Sequence, residues 1–261
     1  MRLTKHHGLG NDFLVLADPS GIRPITGVLA RQVCDRRRGI GADGLLRLSP
    51  GTHGADVTME LRNADGSRAE MSGNGISCLV HAALVGGLAS GPTVTVSTDA
   101  GLRTVVVAPG DSSRSRLMTV DMGAAKIGDD EPEWVDGHIV RAARVDVGNP
   151  HLVLEVDDLD AVDLVALGAE VNELVPGGIN VELIRAGAPG ELAMRVYERG
   201  VGITQACGTG ACASAAAAVS WQLAPAHLVV QQPGGAVAIQ VGEAISMTVP
   251  VVHVATIEWF T

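Results

Sequence analysis

The sequence predicts an α/β protein, mixed in the α+β sense, made of two similar domains. Three observations predict it. A Gly-rich stretch that runs into a helix occurs at Ala206-Cys207-Gly208-Thr209-Gly210-Ala211-Cys212-Ala213. A weaker copy, Ser72-Gly73-Asn74-Gly75-Ile76-Ser77-Cys78, stands about half a chain length earlier. Short, often alternating segments separated by glycine turns fill both halves, and the 33 glycines suit such turns. Hydrophobic residues make up 46% of the 261 residues while aromatics are only 2%, so a sizeable core is built from Val, Leu, Ile and Ala. One unit used twice suggests two domains facing one another across a site.

The formal net charge of −10 argues against a nucleic-acid or membrane-surface partner. It leaves open an acidic small molecule, because a local pocket decides that. No apolar run approaches the ~18 residues of a membrane span. Met1-Arg2-Leu3-Thr4-Lys5-His6-His7 lacks the apolar core of a signal peptide, so a cytoplasmic protein is expected. Cys34, Cys78, Cys207 and Cys212 are expected as thiols in that compartment. No CxxC pair or zinc-finger spacing is present, and no metal site is expected.

In chain order, strands are expected at 2–5 and 13–17 around the turn His7-Gly8-Leu9-Gly10-Asn11-Asp12. A hairpin loop whose Asn11 satisfies its own backbone is the plain reading there. A helix is expected at 27–37, ended by Arg36-Arg37-Arg38, whose charges suit a helix C-terminus and read as solvated. Gly39-Ile40-Gly41-Ala42-Asp43-Gly44 lacks the Lys-Ser/Thr of a phosphate-binding loop. Strands follow at 44–48 and 55–62, then the turn Asn63-Ala64-Asp65-Gly66-Ser67. The Ser72 helix ends near Gly86-Gly87, and a hairpin spans 93–107. Pro109-Gly110-Asp111-Ser112-Ser113 is a polar break and the expected domain boundary. In the second half, strands are expected at 116–121, 138–147 and 152–156, with a helix at 160–170. Further strands are expected after Ile179 and at 191–198, 227–231, 235–241, 244–249 and 252–259. Pro150 holds Asn149 extended, which fixes the directions of Asn149 and His151.

Cys207 falls where a glycine loop becomes a helix. The unpaired N–H groups there carry partial positive charge, expected to lower the thiol pKa and to favour a carboxylate. Asn11, Asn63, Asn74, Asn149, Asn180 and Glu198-Arg199 collect in or beside turns as donors, with one cation, for a ligand with carboxylate and ammonium ends. One small nucleophile-type residue from each half, on either side of a carbon, fits inversion at an acidic C–H. The carbanion would be stabilised by the two helix ends.

These motifs resemble the diaminopimelate epimerases, cofactor-independent members of the proline racemase-like group. The likeness rests on His7-Gly8-Leu9-Gly10-Asn11-Asp12-Phe13, Asn63-Ala64-Asp65-Gly66-Ser67, Ser72-Gly73-Asn74-Gly75, Gly148-Asn149-Pro150-His151, Ile179-Asn180-Val181 and Glu198-Arg199-Gly200-Val201-Gly202 leading to the Cys207 stretch. It implies two domains, each with mixed or antiparallel sheets wrapped around a central helix, and an active site in the cleft between them. It also implies a homodimer, no cofactor, and a final strand returning to the first domain. The domains would then be 1–113 plus 250–261, and 114–249. The activity implied is interconversion of LL- and meso-diaminopimelate for lysine and peptidoglycan precursors. Asn11, Asn63, Asn149, Asn180 and Arg199 are implied to hold the distal end of the substrate. Gly73, Asn74, Gly208 and Thr209 are implied to hold the reacting carboxylate. His151 and Glu198 are implied to line the reacting end, and Cys207 to be one catalytic thiol.

The chain departs from this family pattern at Ser72, where a second catalytic thiol is implied. Ser77 and Ile203 also replace the usual Arg and Glu. A hydroxyl is a far weaker acid and base than a thiol at neutral pH. Ser72 therefore stands as an engineered change, as a natural residue relaying a proton, or as the mark of a diverged racemase, dehydratase or catalytically silent amino-acid binding protein. Cys78, six positions further along the helix, is no substitute.

Overall fold

The structure, a computed structural model, describes residues 1–109, 114–135 and 137–260. The chain divides into two compact units, Met1–Asp121 with Thr248–Thr261, and Met122–Met247. Of the expected boundary segment, positions 110–113 lie outside the described residues.

Unit 1 begins with β1 (Arg2–Gly8) and β2 (Asn11–Ala17), an antiparallel hairpin in which Gly8 pairs with Asn11. Its two turn residues take positive φ, Leu9 at 54° and Gly10 at 86°, the conformation that matches the right-handed twist of the flanking strands. Next come α1 (Gly27–Cys34), β3 (Gly44–Pro50), β4 (Val57–Asn63) and β5 (Arg68–Ala69). They are followed by α2 (Gly73–Val85), β6 (Thr93–Thr98), β7 (Gly101–Val107) and β8 (Ser115–Gly123). β3 runs parallel to β2 and antiparallel to β4, while β6 runs parallel to β4 and antiparallel to β7.

Unit 2 repeats this plan. After β9 (Lys126–Asp130) and a 3-10 turn at Pro132–Trp134 come β10 (Ile139–Asp146), β11 (Pro150–Val156), α3 (Leu164–Leu174) and β12 (Asn180–Ala186). Then follow β13 (Glu191–Glu198), β14 (Gly202–Ile203), α4 (Gly208–Ser220), β15 (His227–Gln232) and β16 (Gly235–Gln240). The pairings match one for one. β10–β11 is antiparallel, β11–β12 parallel, β12–β13 antiparallel, β13–β15 parallel and β15–β16 antiparallel. β17 (Ile245–Glu258) ends the chain and pairs antiparallel with β1 through residues 251–258.

In each unit the strands wrap one helix. Gly73 through Ala83 of α2 are all buried, and so are Gly208 through Ala218 of α4. A helix buried on every side sits in a core. α2 packs on β1, β2, β3 and β4, and α4 on β10, β11, β12, β13, β15 and β16. Ala213 and Ala215 to Ala218 give α4 a surface of methyl groups against which strands can close. A second apolar cluster lies under the outer helix of each unit, around Leu14, Val33 and Leu45 in one and around Leu154, Val171 and Leu183 in the other.

Three expectations about elements are corrected, and one strand was not expected. The first helix stops at Cys34, because the Asp35 side chain accepts from the Arg37 and Arg38 amides and turns the chain out of the helix. The helix expected at 160–170 begins at Leu164, where the Asp163 carboxylate caps the Val165 and Ala166 amides. The strands expected at 244–249 and 252–259 form one strand that passes through Pro250. β9 was not expected, since Lys126–Asp130 is polar, exposed and without alternation.

Candidate active site

The two repeated stretches form the same local structure. Cys207 is the N-cap of α4, with extended backbone at φ −128° and ψ 116°, and its Sγ accepts from the Gly210 amide at 3.3 Å. Ser72 is the N-cap of α2, at φ −149° and ψ 122°, and its Oγ accepts from the Gly75 amide at 3.0 Å. A cap satisfies one orphan amide and leaves its neighbours at the helix start for a ligand.

Around Cys207 the first side chains are polar and buried. Its amide donates to Gln232 Oε1 at 2.7 Å, and its sulfur lies 3.5 Å from Thr209 Oγ1. Asn149 Nδ2 donates to Thr209 Oγ1 at 3.4 Å. Asn149 Oδ1 is 3.0 Å from His151 Nε2, and His151 Nδ1 is 2.7 Å from Glu182 Oε1. Glu198 Oε1 accepts from the Thr204 hydroxyl. Gly210 is required here, since a Cβ on it would stand 2.7 Å from Glu182 Oε1 and 3.3 Å from Cys207 Sγ.

The expected lowering of the Cys207 pKa is not found. Burial pushes the thiol well up, the nearby Glu198 and Glu182 carboxylates push it further, and the Thr209 and Gly210 hydrogen bonds oppose them only in part. The helix start is present, yet desolvation and two negative charges outweigh it.

Unit 1 supplies a different set. Asn74, at the start of α2, is buried, and its Nδ2 donates to Asn11 Oδ1 at 3.3 Å. Gly8 makes room for it, as a Cβ there would come within 2.9 Å of Asn74 Oδ1. Asn11 in turn donates to Asp43 Oδ2 at 2.8 Å. Asn11 is thus tied to two side chains beyond its own loop, unlike in the plain hairpin reading. Arg36 bridges Asp43 and Asp12 at 2.7 Å each, and Lys5 reaches Asp12 at 2.8 Å. Arg36 is therefore paired, against the solvated run expected from sequence. Asp12 is held below the usual carboxylate range by its hydrogen bonds to Arg36 and Lys5, which overcome a larger opposing effect of burial.

Of the remaining expected residues, Asn180 accepts from the Arg199 amide at 2.9 Å and donates to Pro150 O at 3.2 Å, so Asn180, Arg199 and the Asn149 turn are joined. Arg199 Nη1 donates to Gly177 O at 3.1 Å. Asn63 donates to Ser67 Oγ at 3.0 Å within its own turn. Ser77 donates to Gly73 O at 2.9 Å inside α2, and Ile203 is exposed on β14. Cys34, Cys78 and Cys212 are buried free thiols whose pKa values burial raises, that of Cys34 to about 12. Among the described residues no three His, Cys, Asp or Glu side chains gather to hold a metal ion, and no helix is long and apolar enough to cross a membrane.

Glu182, Asp43 and Gln232 were not singled out from sequence. Glu182 left a signal. A carboxylate inside the fully buried run Asn180-Val181-Glu182-Leu183-Ile184 has no solvent face to turn to and must find a partner.

The fold is shared with solved epimerases and with phenazine biosynthesis proteins of the PhzF family, one of which, from Bacillus anthracis, aligns over all of this chain with a TM-score of 0.74 and 15% identity. A solved hydroxyproline epimerase from Agrobacterium vitis aligns over 98% of this chain and 90% of its own, with a TM-score of 0.72 and 18% identity. Sequence comparison is more specific. The diaminopimelate epimerase family model matches residues 3–128 and 143–254. The diaminopimelate epimerase of Mycolicibacterium paratuberculosis is 39% identical, covering 94% of this chain and 92% of that one. Diaminopimelate epimerase 1 of a Nostoc species is also 39% identical, covering 98% of each. The chain belongs to the diaminopimelate epimerase family.

Proposed function

We propose that this protein interconverts LL- and meso-diaminopimelate by moving the α-proton without a bound cofactor. The observation that carries the reading is the repeated helix start, with Ser72 and Cys207 capping two buried helices of 13 residues each. In this reading the amides of Gly73, Asn74, Gly208 and Thr209 hold the α-carboxylate and stabilise the negative charge that builds on it as the proton leaves. Asn11, Asn63, Asn149, Asn180 and Arg199 hold the distal amino-acid end, while His151 and Glu198 line the reacting end.

In one direction Ser72 and water take the α-proton from the face opposite Cys207, and the Cys207 thiol gives its proton to the resulting carbanion and becomes thiolate. In the reverse direction the thiolate accepts the α-proton and returns to thiol, and the carbanion takes a proton from water through Ser72. Burial raises the pKa of the free thiol and the Glu198 and Glu182 charges add to it; the substrate α-ammonium offsets those charges. Ser72 serves the other face, passing a proton to or from water, and this half-reaction is the slow one. A homodimer in the cytoplasm, with a small-molecule substrate and neither nucleic acid nor membrane as partner, completes the reading. The limits 1–113 plus 250–261 and 114–249, close to those of the compact units, are proposed as the two repeated halves that carry the helix starts.

Chiral separation of products from LL-diaminopimelate tests the proposal, and appearance of the meso isomer is the expected result. Ser72, with its weakly basic hydroxyl, favours one second reading, a binding protein that has kept the pocket and lost turnover. Tight binding by calorimetry with no meso product over long incubation would select it. Neither binding nor product would overturn both and turn attention to racemisation or dehydration of other amino acids.

A further inference from the structure

Glu182 and His151 form a fully buried pair, each side chain without exposed surface and 2.7 Å apart. Glu182 Oε2 is also buried and has no hydrogen-bond partner. Asn149 Nδ2 donates to Thr209 Oγ1 at 3.4 Å, which turns its Oδ1 toward His151 Nε2 at 3.0 Å and makes Nε2 the donor of that bond. Thr209 Oγ1 accepts there and has one proton of its own, which is left for Cys207 Sγ at 3.5 Å.

We propose that Glu182 is a positioning residue for Cys207, anchoring the chain Glu182–His151–Asn149–Thr209 and fixing the direction of every donor along it so that a hydroxyl proton meets the sulfur. Glu182 acts through His151. The chain runs from β12 to β11, through the turn before β11, and onto the first turn of α4. It thus ties the buried strands to the reactive end of the helix. When the sulfur loses its proton, the donor needed to stabilise the thiolate is already aimed, with no reorganisation required. The charged groups that act on Cys207 are Glu198 from β13 and Glu182 from β12, and α4 offers the Gly210 amide and Thr209 to its sulfur.

The consequence for catalysis rests on Cys207 moving the proton. The test reads the sulfur itself, so the relay and the epimerase reading can fail separately. Alkylation of Cys207 by iodoacetamide is followed against pH by peptide mass, which keeps Cys34, Cys78 and Cys212 apart. Glu182→Gln should move the midpoint by half a pH unit or more, about threefold in rate at fixed pH. In a Thr209→Val background, where the chain is cut next to the sulfur, only the through-space effect of the Glu182 charge remains, so the shift should differ from that in the unsubstituted protein by half a pH unit or more. A shift of equal size in both backgrounds would mean that Glu182 acts by charge through space, and no shift in either would mean that it does not act on the sulfur; each overturns the proposal. Should Glu182→Gln fail to fold, nitrogen NMR of the unsubstituted protein decides. A protonated His151 Nε2 supports the relay, and a bare Nε2 overturns it.

Discussion

The starts of α2 and α4 have one backbone plan and different chemistry. Each is a glycine-rich cap on a buried helix of 13 residues, with a side chain accepting from the amide three positions on. Behind Cys207 stand His151, Glu182 and Glu198, groups that can take, hold or lose a proton. Behind Ser72 stand Asn74, Asn11 and the ring of Phe13, which a Cβ on Gly75 would meet at 3.5 Å. The ionised groups of that side, Asp12, Asp43, Arg36 and Lys5, are locked to one another in ion pairs. On the proposed function, the repeated backbone fixes where a ligand carboxylate would sit, while the side chains behind it decide which end moves protons.

That difference can be broken outright. Cys207→Ala should abolish deuterium exchange at the substrate α-carbon, a loss of at least about 10³-fold, measured by mass spectrometry in heavy water. Ser72→Ala should change that exchange far less. Equal losses from the two substitutions would mean that the ends are equivalent. Giving unit 1 the sulfur sharpens the same point. Ser72→Cys should raise epimerisation tenfold or more in a coupled turnover assay, because a thiol lies much closer to neutral pH than a hydroxyl.

Acid should separate the units by stability. Unit 1 buries His6 against His81, with their Nδ1 atoms 3.2 Å apart, and stacks it on His253. Burial lowers His6 to about 3, with His81, His253 and His7 adding to it. His81 falls to about 4 through burial, with His253 and Arg116 contributing. Both folded values lie below the unfolded one, near 6.5, so the unfolded chain binds more protons as pH falls. The stability is complete above about pH 6.5 and is lost progressively toward pH 3–4, by on the order of several kcal/mol. Hydrogen exchange at pH 5 should show the β1 and α2 amides opening before those of α4, and the reverse order would count against the cluster.

The smallest effect concerns the two glycines. A Cβ on Gly210 meets the buried Glu182 Oε1 at 2.7 Å, whereas one on Gly75 meets the Ser72 side chain at 3.0 Å or more. Gly210→Ala should cost about 1–3 kcal/mol in chemical denaturation and Gly75→Ala less.

Much of this was legible in the sequence, for reasons that vary by element. The caps of α2 and α4 could be read because glycine spacing and helix propensity are local. The wrapped-helix fold followed from the family likeness. The start of α3 was displaced because Asp163 competes as a cap with the charged residues before it. Pro250 reads locally as a break, yet its strand continues through it. The state of Cys207 could not be read at all. A helix start argues for a thiolate, and only the fold buries the sulfur and brings Glu198 and Glu182 close enough to reverse that. Asp43 was hidden in the same way, since its tie to Asn11 spans 32 positions and depends on how β2 and β3 pair.

The most direct test follows α-deuterium uptake from LL- and meso-diaminopimelate separately, before any back-conversion. If Cys207 carries one half-reaction and Ser72 the slow one, one isomer exchanges quickly and the other slowly, with a ratio of tenfold or more. Equal initial rates from both isomers would contradict the asymmetry between the two helix starts.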